Sequence, residues 1–205
     1  ITRQAEKAHM EKIIVTDADG VLLNWEYAFC VWMDAQGYTQ IPEGNKEYNL
    51  AVRFGISGNK AAEKVRIFNA SAAIGFLPAL RDARYYVKRL HEELGYDFHC
   101  VTSLGLDPSA KKLRQMNLDK LFGATAFPVL DCLDTNAPKE DALEKYRDTG
   151  YYWIEDKFEN AIAGQTVGLN PILVEHGWNM NEVVPNGMKK VTTWKELYKY
   201  ILEKG

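Results

Sequence analysis

Ile13-Ile14-Val15-Thr16-Asp17-Ala18-Asp19-Gly20-Val21-Leu22 is the stretch on which the fold turns. Ile13 to Thr16 is a short β-branched run. Such side chains favour strands, and a run without polar alternation suits a strand buried on both faces of a parallel sheet. Asp19-Gly20 is a turn signal that closes it. Two carboxylates, Asp17 and Asp19, therefore leave the carboxyl end of a buried strand. In open α/β sheets that is where ligands bind.

Working outward, strands and helices alternate from Asp82 to the C-terminal end. A helix is expected over 82–94, with Val87, Leu90 and Leu94 as its apolar stripe and Gly95 as its C-cap. A strand over 96–101 ends at Thr102-Ser103. Asp107-Pro108 opens the next helix, Asp as N-cap and Pro at the first helical position. Strands are expected over 124–129, 151–154 and 171–174, and helices over 138–148, 158–165 and 193–202. This pattern predicts an α/β fold with a parallel sheet covered by helices on both faces. Residues 24–78 break the alternation. They read as helix over 24–37, with Trp25, Phe29, Trp32 and Met33 at helical spacing, then a loop and helices over 46–54 and 60–73. The aromatic residues read as packing core, Arg53 and Arg66 as exposed helix positions, and His176 and Trp178 as parts of a surface loop. The expected organisation is a Rossmann-like core, 1–23 and 79–205, with a small helical cap, 24–78, inserted after the first strand.

Composition narrows the class. The chain has 205 residues, 46% apolar and 26% charged, which suits one soluble domain with an insertion. Its formal net charge is −3 and no Lys/Arg run is present, so a nucleic-acid polymer is not the expected partner. A small phosphorylated substrate fits better. Cys30, Cys100 and Cys132 are odd in number and widely spaced, which suits reduced thiols in a cytoplasmic protein rather than a disulfide framework. No run approaches the roughly 18 apolar residues of a membrane span. Residues 1–9 lack a signal peptide's apolar region and read as a tag remnant, with His9-Met10 as the junction. Monomer and homodimer are equally compatible with the sequence.

The strand ends carry the chemistry. Asp17 and Asp19 can share one site, one carboxylate attacking phosphorus and the other moving a proton. Glu155-Asp156 ends a later strand and adds two more acids. Such a site repels a phosphate dianion unless a hard cation intervenes, and Mg²⁺ prefers oxygen ligands. Lys139, at a helix start, offers a point charge to phosphoryl oxygens. Thr102 and Ser103 offer a hydroxyl and backbone N–H groups.

Asp-x-Asp, then Thr, then Lys, then an acidic pair resembles the haloacid dehalogenase superfamily over the whole chain. Val15 to Leu22 is similar to its first motif and His99-Cys100-Val101-Thr102-Ser103 to its second. Ala137-Pro138-Lys139 is similar to its third, and Tyr152 to Ala161 to its fourth. The resemblance implies a Rossmann-like core with a cap of the first type. It implies Asp17 as nucleophile, Asp19 as general acid/base, Thr102 as phosphate-binding hydroxyl, and Lys139 as stabilising cation. Asp17, the backbone of Asp19 and Asp156 would hold Mg²⁺, with Glu155 as second candidate. An acid at position 19 favours a phosphatase or phosphomutase over a dehalogenase or an ATPase. Gly75-Phe76-Leu77-Pro78 and His176-Gly177-Trp178-Asn179 are similar to the 5′(3′)-deoxyribonucleotidase branch, which implies a deoxynucleotide substrate. Rival expectations are a sugar-phosphate phosphatase or phosphomutase of the same fold, and a non-catalytic phospholigand-binding module.

Overall fold

A computed structural model describes residues 11–205. The tag-like residues 1–9 lie outside the described residues. β1 (Ile13–Thr16) takes the central place its composition predicts, flanked on both sides. The other strands are β2 (Asp97–Thr102), β3 (Val129–Cys132), β4 (Tyr152–Glu155), β5 (Asn170–Val174) and β6 (Lys189–Val191). All pair in parallel, in the order β3-β2-β1-β4-β5-β6. This is a doubly wound sheet whose strand order reverses at β1. Val15 pairs with His99 on one side and Trp153 on the other, so the carboxyl ends of β1, β2 and β4 lie side by side.

Helices α4 (Ala83–Glu92), α5 (Pro108–Phe122), α6 (Glu140–Leu143) and α7 (Phe158–Thr166) lie between the strands, and α8 (Trp194–Lys204) follows β6. Asp107 caps α5 as expected, accepting from Ser109 N at 2.8 Å. Asp82 does something else. Its carboxylate caps α8, accepting from Trp194 N at 2.9 Å and Lys195 N at 3.0 Å.

Residues 24–78 form α1 (Trp25–Asp34), α2 (Leu50–Phe54), α3 (Gly58–Asn69) and two single 3-10 turns. The segment leaves and returns at one place. Asn24 N donates to Pro78 O at 2.8 Å, Leu80 N to Leu22 O at 2.8 Å, and Leu23 bridges Ala79. Its aromatic residues do pack: Trp25 stacks on Phe29 at 4.6 Å, and Phe68 meets Phe29 edge-on at 5.4 Å. The apolar cluster is continuous with that under the sheet, joining Phe29, Met33 and Phe68 to Leu22, Leu80 and Phe98. Buried Asn117 fastens the exit of the segment, exchanging two hydrogen bonds with the backbone of Leu77.

Four elements differ from expectation. The helix expected over 138–148 is α-helical only over Glu140–Leu143 and continues as a 3-10 turn over Glu144–Tyr146. β3 begins at Val129, not 124, because Pro128 has no N–H for a ladder; Ala126 makes only one lead-in bond, to Phe98 N. The helix expected over 46–54 starts at Leu50, where Asn49 caps it through Ala51 N at 2.9 Å. β6 carries no apolar signal in Lys189-Lys190 and is legible only as an edge strand added to β5.

Candidate active site

Asp17 follows β1 directly, and its N–H donates to Ile154 O across the switch point at 2.9 Å. Its Oδ2 meets Lys139 Nζ at 2.9 Å, and the same nitrogen meets Glu155 Oε2 at 2.9 Å. Glu155 Oε1 accepts from the N–H groups of Asp156 at 2.9 Å and Lys157 at 3.0 Å. Both Glu155 oxygens are therefore engaged within the protein. Asp156 faces Gly20: a Cβ there would stand 2.1 Å from Asp156 Oδ2, and Gly20 has φ of +75°. Glycine at position 20 lets the first turn approach the acid.

Lys139, Glu155 and Asp17 are all buried, so their charges depend on one another. Burial pushes Asp17 up to about 7 against the pull of Lys139. Burial and the neighbouring Glu155 and Asp17 raise Asp156 well above the carboxylate range. For Glu155 burial acts in the same direction, but Lys139 and the surrounding hydrogen bonds outweigh it and hold its pKa below the ordinary value. Lys139 is disfavoured by burial yet held above its ordinary value by Asp17 and Glu155.

Oxygens of Asp17, Glu155 and Asp156 lie within 4.8 Å of one another. Three buried carboxylates stand against one ammonium, and all the donors are hard oxygens. This set fits a hard divalent cation such as Mg²⁺, with Asp156 the least engaged of the three: Asp17 Oδ1 accepts from Ala18 N at 2.7 Å and its Oδ2 meets Lys139, as both Glu155 oxygens are engaged too.

Thr102 ends β2 fully buried and lines the cleft above the acids. Ser103, expected to bind phosphate, also lines it, but its hydroxyl donates to Ala137 O at 2.9 Å and so ties down the loop leading to Lys139. Asp19 is held by a residue that sequence reasoning missed. Arg114, on α5 and wholly buried, donates from Nη2 to Asp19 Oδ2 at 3.0 Å, while Nη1 lies 2.8 Å from Oδ1. Burial opposes the charge on Arg114, and Asp19 outweighs it. No local motif marks an arginine 95 positions away; a lone Arg among the apolar positions of a helix was the available signal.

The cleft has a volume of about 470 Å³, with residues 24–78 forming its far wall. Two expectations are corrected here. Arg53 is 1% exposed rather than a surface position, because Gly44 O and Glu26 hold two of its three guanidinium nitrogens, Nε and Nη1, from inside. His176 and Trp178 are not a surface loop either. His176 Nε2 donates to Gly20 O at 2.6 Å and its ring stacks on Trp178 at 4.3 Å. Asn179 Nδ2 donates to Asp156 O at 2.7 Å. The loop after β5 thus braces the acids and reaches the far wall, where Gly177 packs on the backbone of Asn45. Arg66 is exposed, as expected. His91 bonds Tyr96 O and Thr125 Oγ1 through its two ring nitrogens.

No family model matches the sequence. An uncharacterised 32.4 kDa protein from the gp30–rIII intergenic region of Enterobacteria phage T4 is 27% identical over 199 residues, covering 92% of this chain and 69% of that protein. Among solved structures, a predicted phosphatase from Clostridium acetobutylicum matches with a TM-score of 0.65 at 16% identity. A haloacid dehalogenase-like hydrolase from Streptococcus pneumoniae matches with 0.62 at 14%. Each match covers 94% of this chain and 99% of the other. The D,D-heptose 1,7-bisphosphate phosphatase of B. bronchiseptica, solved with magnesium and phosphate, matches with 0.57 at 14% identity, covering 95% and 99%. The chain shares the Rossmann-like α/β fold of these hydrolases.

Proposed function

We propose that the protein is a Mg²⁺-dependent phosphate monoester hydrolase, with 24–78 as its cap. The chain Asp17–Lys139–Glu155 beside Asp156 carries this reading, because it presents a carboxylate at a strand end with its charge compensated. Asp17 attacks phosphorus, and the bond from phosphorus to the leaving oxygen breaks. Asp19 delivers a proton to that oxygen. Asp19 then takes a proton from water, whose oxygen attacks the aspartyl phosphate and frees Asp17. Lys139 and the hydroxyl of Thr102 hold phosphoryl oxygens, and Arg114 orients Asp19. Asp17, Asp156 and the backbone of Asp19 would hold Mg²⁺, which offsets charge on the transferring group when bound. Glu155 serves as the anchor of Lys139. Nucleoside monophosphates are the substrate class we place first, since Trp25, Tyr48 and Trp178 line the same cleft. The three thiols form no disulfide, in keeping with a cytoplasmic setting. No helix among the described residues is long and apolar enough to cross a membrane.

The test is phosphate release from phenyl phosphate with Mg²⁺. Asp17→Asn is expected to lower kcat by roughly 10³-fold or more. Near-normal turnover in that variant sinks the assignment.

A further inference from the structure

Two buried donors on the far wall of the cleft find no acceptor among the described residues: Arg53 Nη2 and Trp178 Nε1. Both side chains line the cleft, and the guanidinium carbon of Arg53 lies 5.9 Å from the Trp178 ring centroid. The rest of the Arg53 head group is occupied. Nε donates to Gly44 O at 2.6 Å and Nη1 pairs with Glu26 Oε1 at 2.7 Å. The Trp178 ring is fixed between His176, stacked at 4.3 Å, and Tyr48, edge-on at 5.9 Å. A buried donor without an acceptor is costly, so a pair of them held rigidly beside a cleft is a recognition element awaiting two acceptors.

Charge decides what kind of acceptor. Glu26 already offsets the charge of Arg53, and Glu26 and Glu47 both line the cleft. A second phosphate or a carboxylate would face those acids. A neutral carbonyl would not. The surrounding rings of Trp25, Tyr48 and Trp178 suit a flat partner, since an aromatic face stacks on any base. Glu26, next to Arg53, adds an acceptor for a ring N–H.

We infer that Arg53, Trp178 and Glu26 form a leaving-group subsite that reads the keto edge of an uncharged heteroaromatic ring, the edge that uracil or hypoxanthine presents and adenine does not. The inference deepens the phosphatase reading and names the half of the substrate that the acids do not touch.

Equilibrium binding to the Asp17→Asn protein tests it without turnover. By calorimetry, uridine 5′-monophosphate is expected to bind about tenfold tighter than ribose 5-phosphate, which lacks the base, and about fivefold tighter than adenosine 5′-monophosphate. Arg53 supports the wall itself, so Trp178→Phe is the cleaner change: it keeps the ring and removes the N–H. In the Asp17→Asn background it is expected to shrink the uridine advantage over ribose 5-phosphate by about threefold to tenfold. Equal binding of the uridine and ribose phosphates overturns the subsite. So does equal weakening of both by Trp178→Phe, or tighter binding of fructose 1,6-bisphosphate than of the uridine compound. A uridine preference in a protein whose wild type releases no phosphate from any of these compounds would leave the subsite standing and remove the hydrolase.

Discussion

Lys139 and Arg53, on the two walls of the cleft, handle buried charge in opposite ways. At the strand ends, Lys139 is shared between Asp17 and Glu155, and Glu155 has both oxygens engaged. On the far wall, Arg53 leans on one partly exposed acid, Glu26, and keeps a nitrogen unpaired. A closed network holds its geometry whether or not anything is bound. An open one waits for a ligand to complete it. On the proposed function, the difference separates the group that would perform the reaction from the group that would choose what enters it.

Removing the cation from each wall should expose this contrast most strongly. Lys139→Met leaves two buried carboxylates without their partner, and a loss of about 3–5 kcal/mol in urea unfolding is expected. Arg53→Met leaves Glu26, which is 27% exposed and can be hydrated. There a loss of about 1–3 kcal/mol is expected. Equal losses would erase the distinction between the walls.

The loop that joins the walls should be sensitive to acid. Burial lowers His176 from an ordinary 6.5 to about 4. Its partners suit the neutral ring, Nε2 donating to Gly20 O while Arg81 Nη2 lies 3.4 Å from Nδ1. Between those two pH values the unfolded chain takes up a proton that the native protein refuses. Stability should therefore fall as pH drops from 6.5 toward 4, by about 3 kcal/mol in all. Urea midpoints measured across that window should slope for the native protein and flatten for His176→Gln. An unchanged slope in the variant assigns the effect elsewhere.

A smaller effect separates the walls by titration. Asp17, raised to about 7, and Asp156, raised with it, must lose protons before a cation can bind. Mg²⁺ affinity measured by calorimetry should rise by tenfold or more from about pH 5.5 to 7.5. The preference for uridine over ribose phosphates should stay level over the same range, because both compounds bring the same phosphate to the acids and differ only in the base. A base preference that tracks Mg²⁺ affinity would tie the two walls into one unit.

What could be read in advance follows the same division. Asp17, Asp19, Thr102, Lys139 and Glu155-Asp156 were legible because each stands at a strand end announced by a β-branched run or a helix start, so local pattern and location coincide. Arg114, Arg53, Trp178 and Asn179 were not. Their roles come from partners tens of positions away: Arg114 with Asp19, Trp178 with Tyr48, Asn179 with Asp156. Periodicity assigns an arginine on a short helix to water, and only a carboxylate supplied from another turn makes its burial tolerable. β1, β4 and β5 were legible for the converse reason: apolar residues run almost unbroken along them, whereas β3 carries Asp131 and starts later than its signal suggested, and the pairing of β6 depends on β5 already being in place.

The clip formed by Leu22, Asn24, Pro78 and Leu80 has a consequence for how such a protein can change over generations. The chain departs from the sheet and rejoins it at neighbouring points, so the loop between them is closed before its contents are specified. Lengthening or replacing that loop adds little closure entropy, which grows only with the logarithm of loop length. Strand register and the spacing of Asp17 from Lys139 need not alter. The far wall is thus the portion of the molecule most open to exchange, and a lineage could replace it while the strand ends that carry Asp17 and Glu155-Asp156 stay as they are.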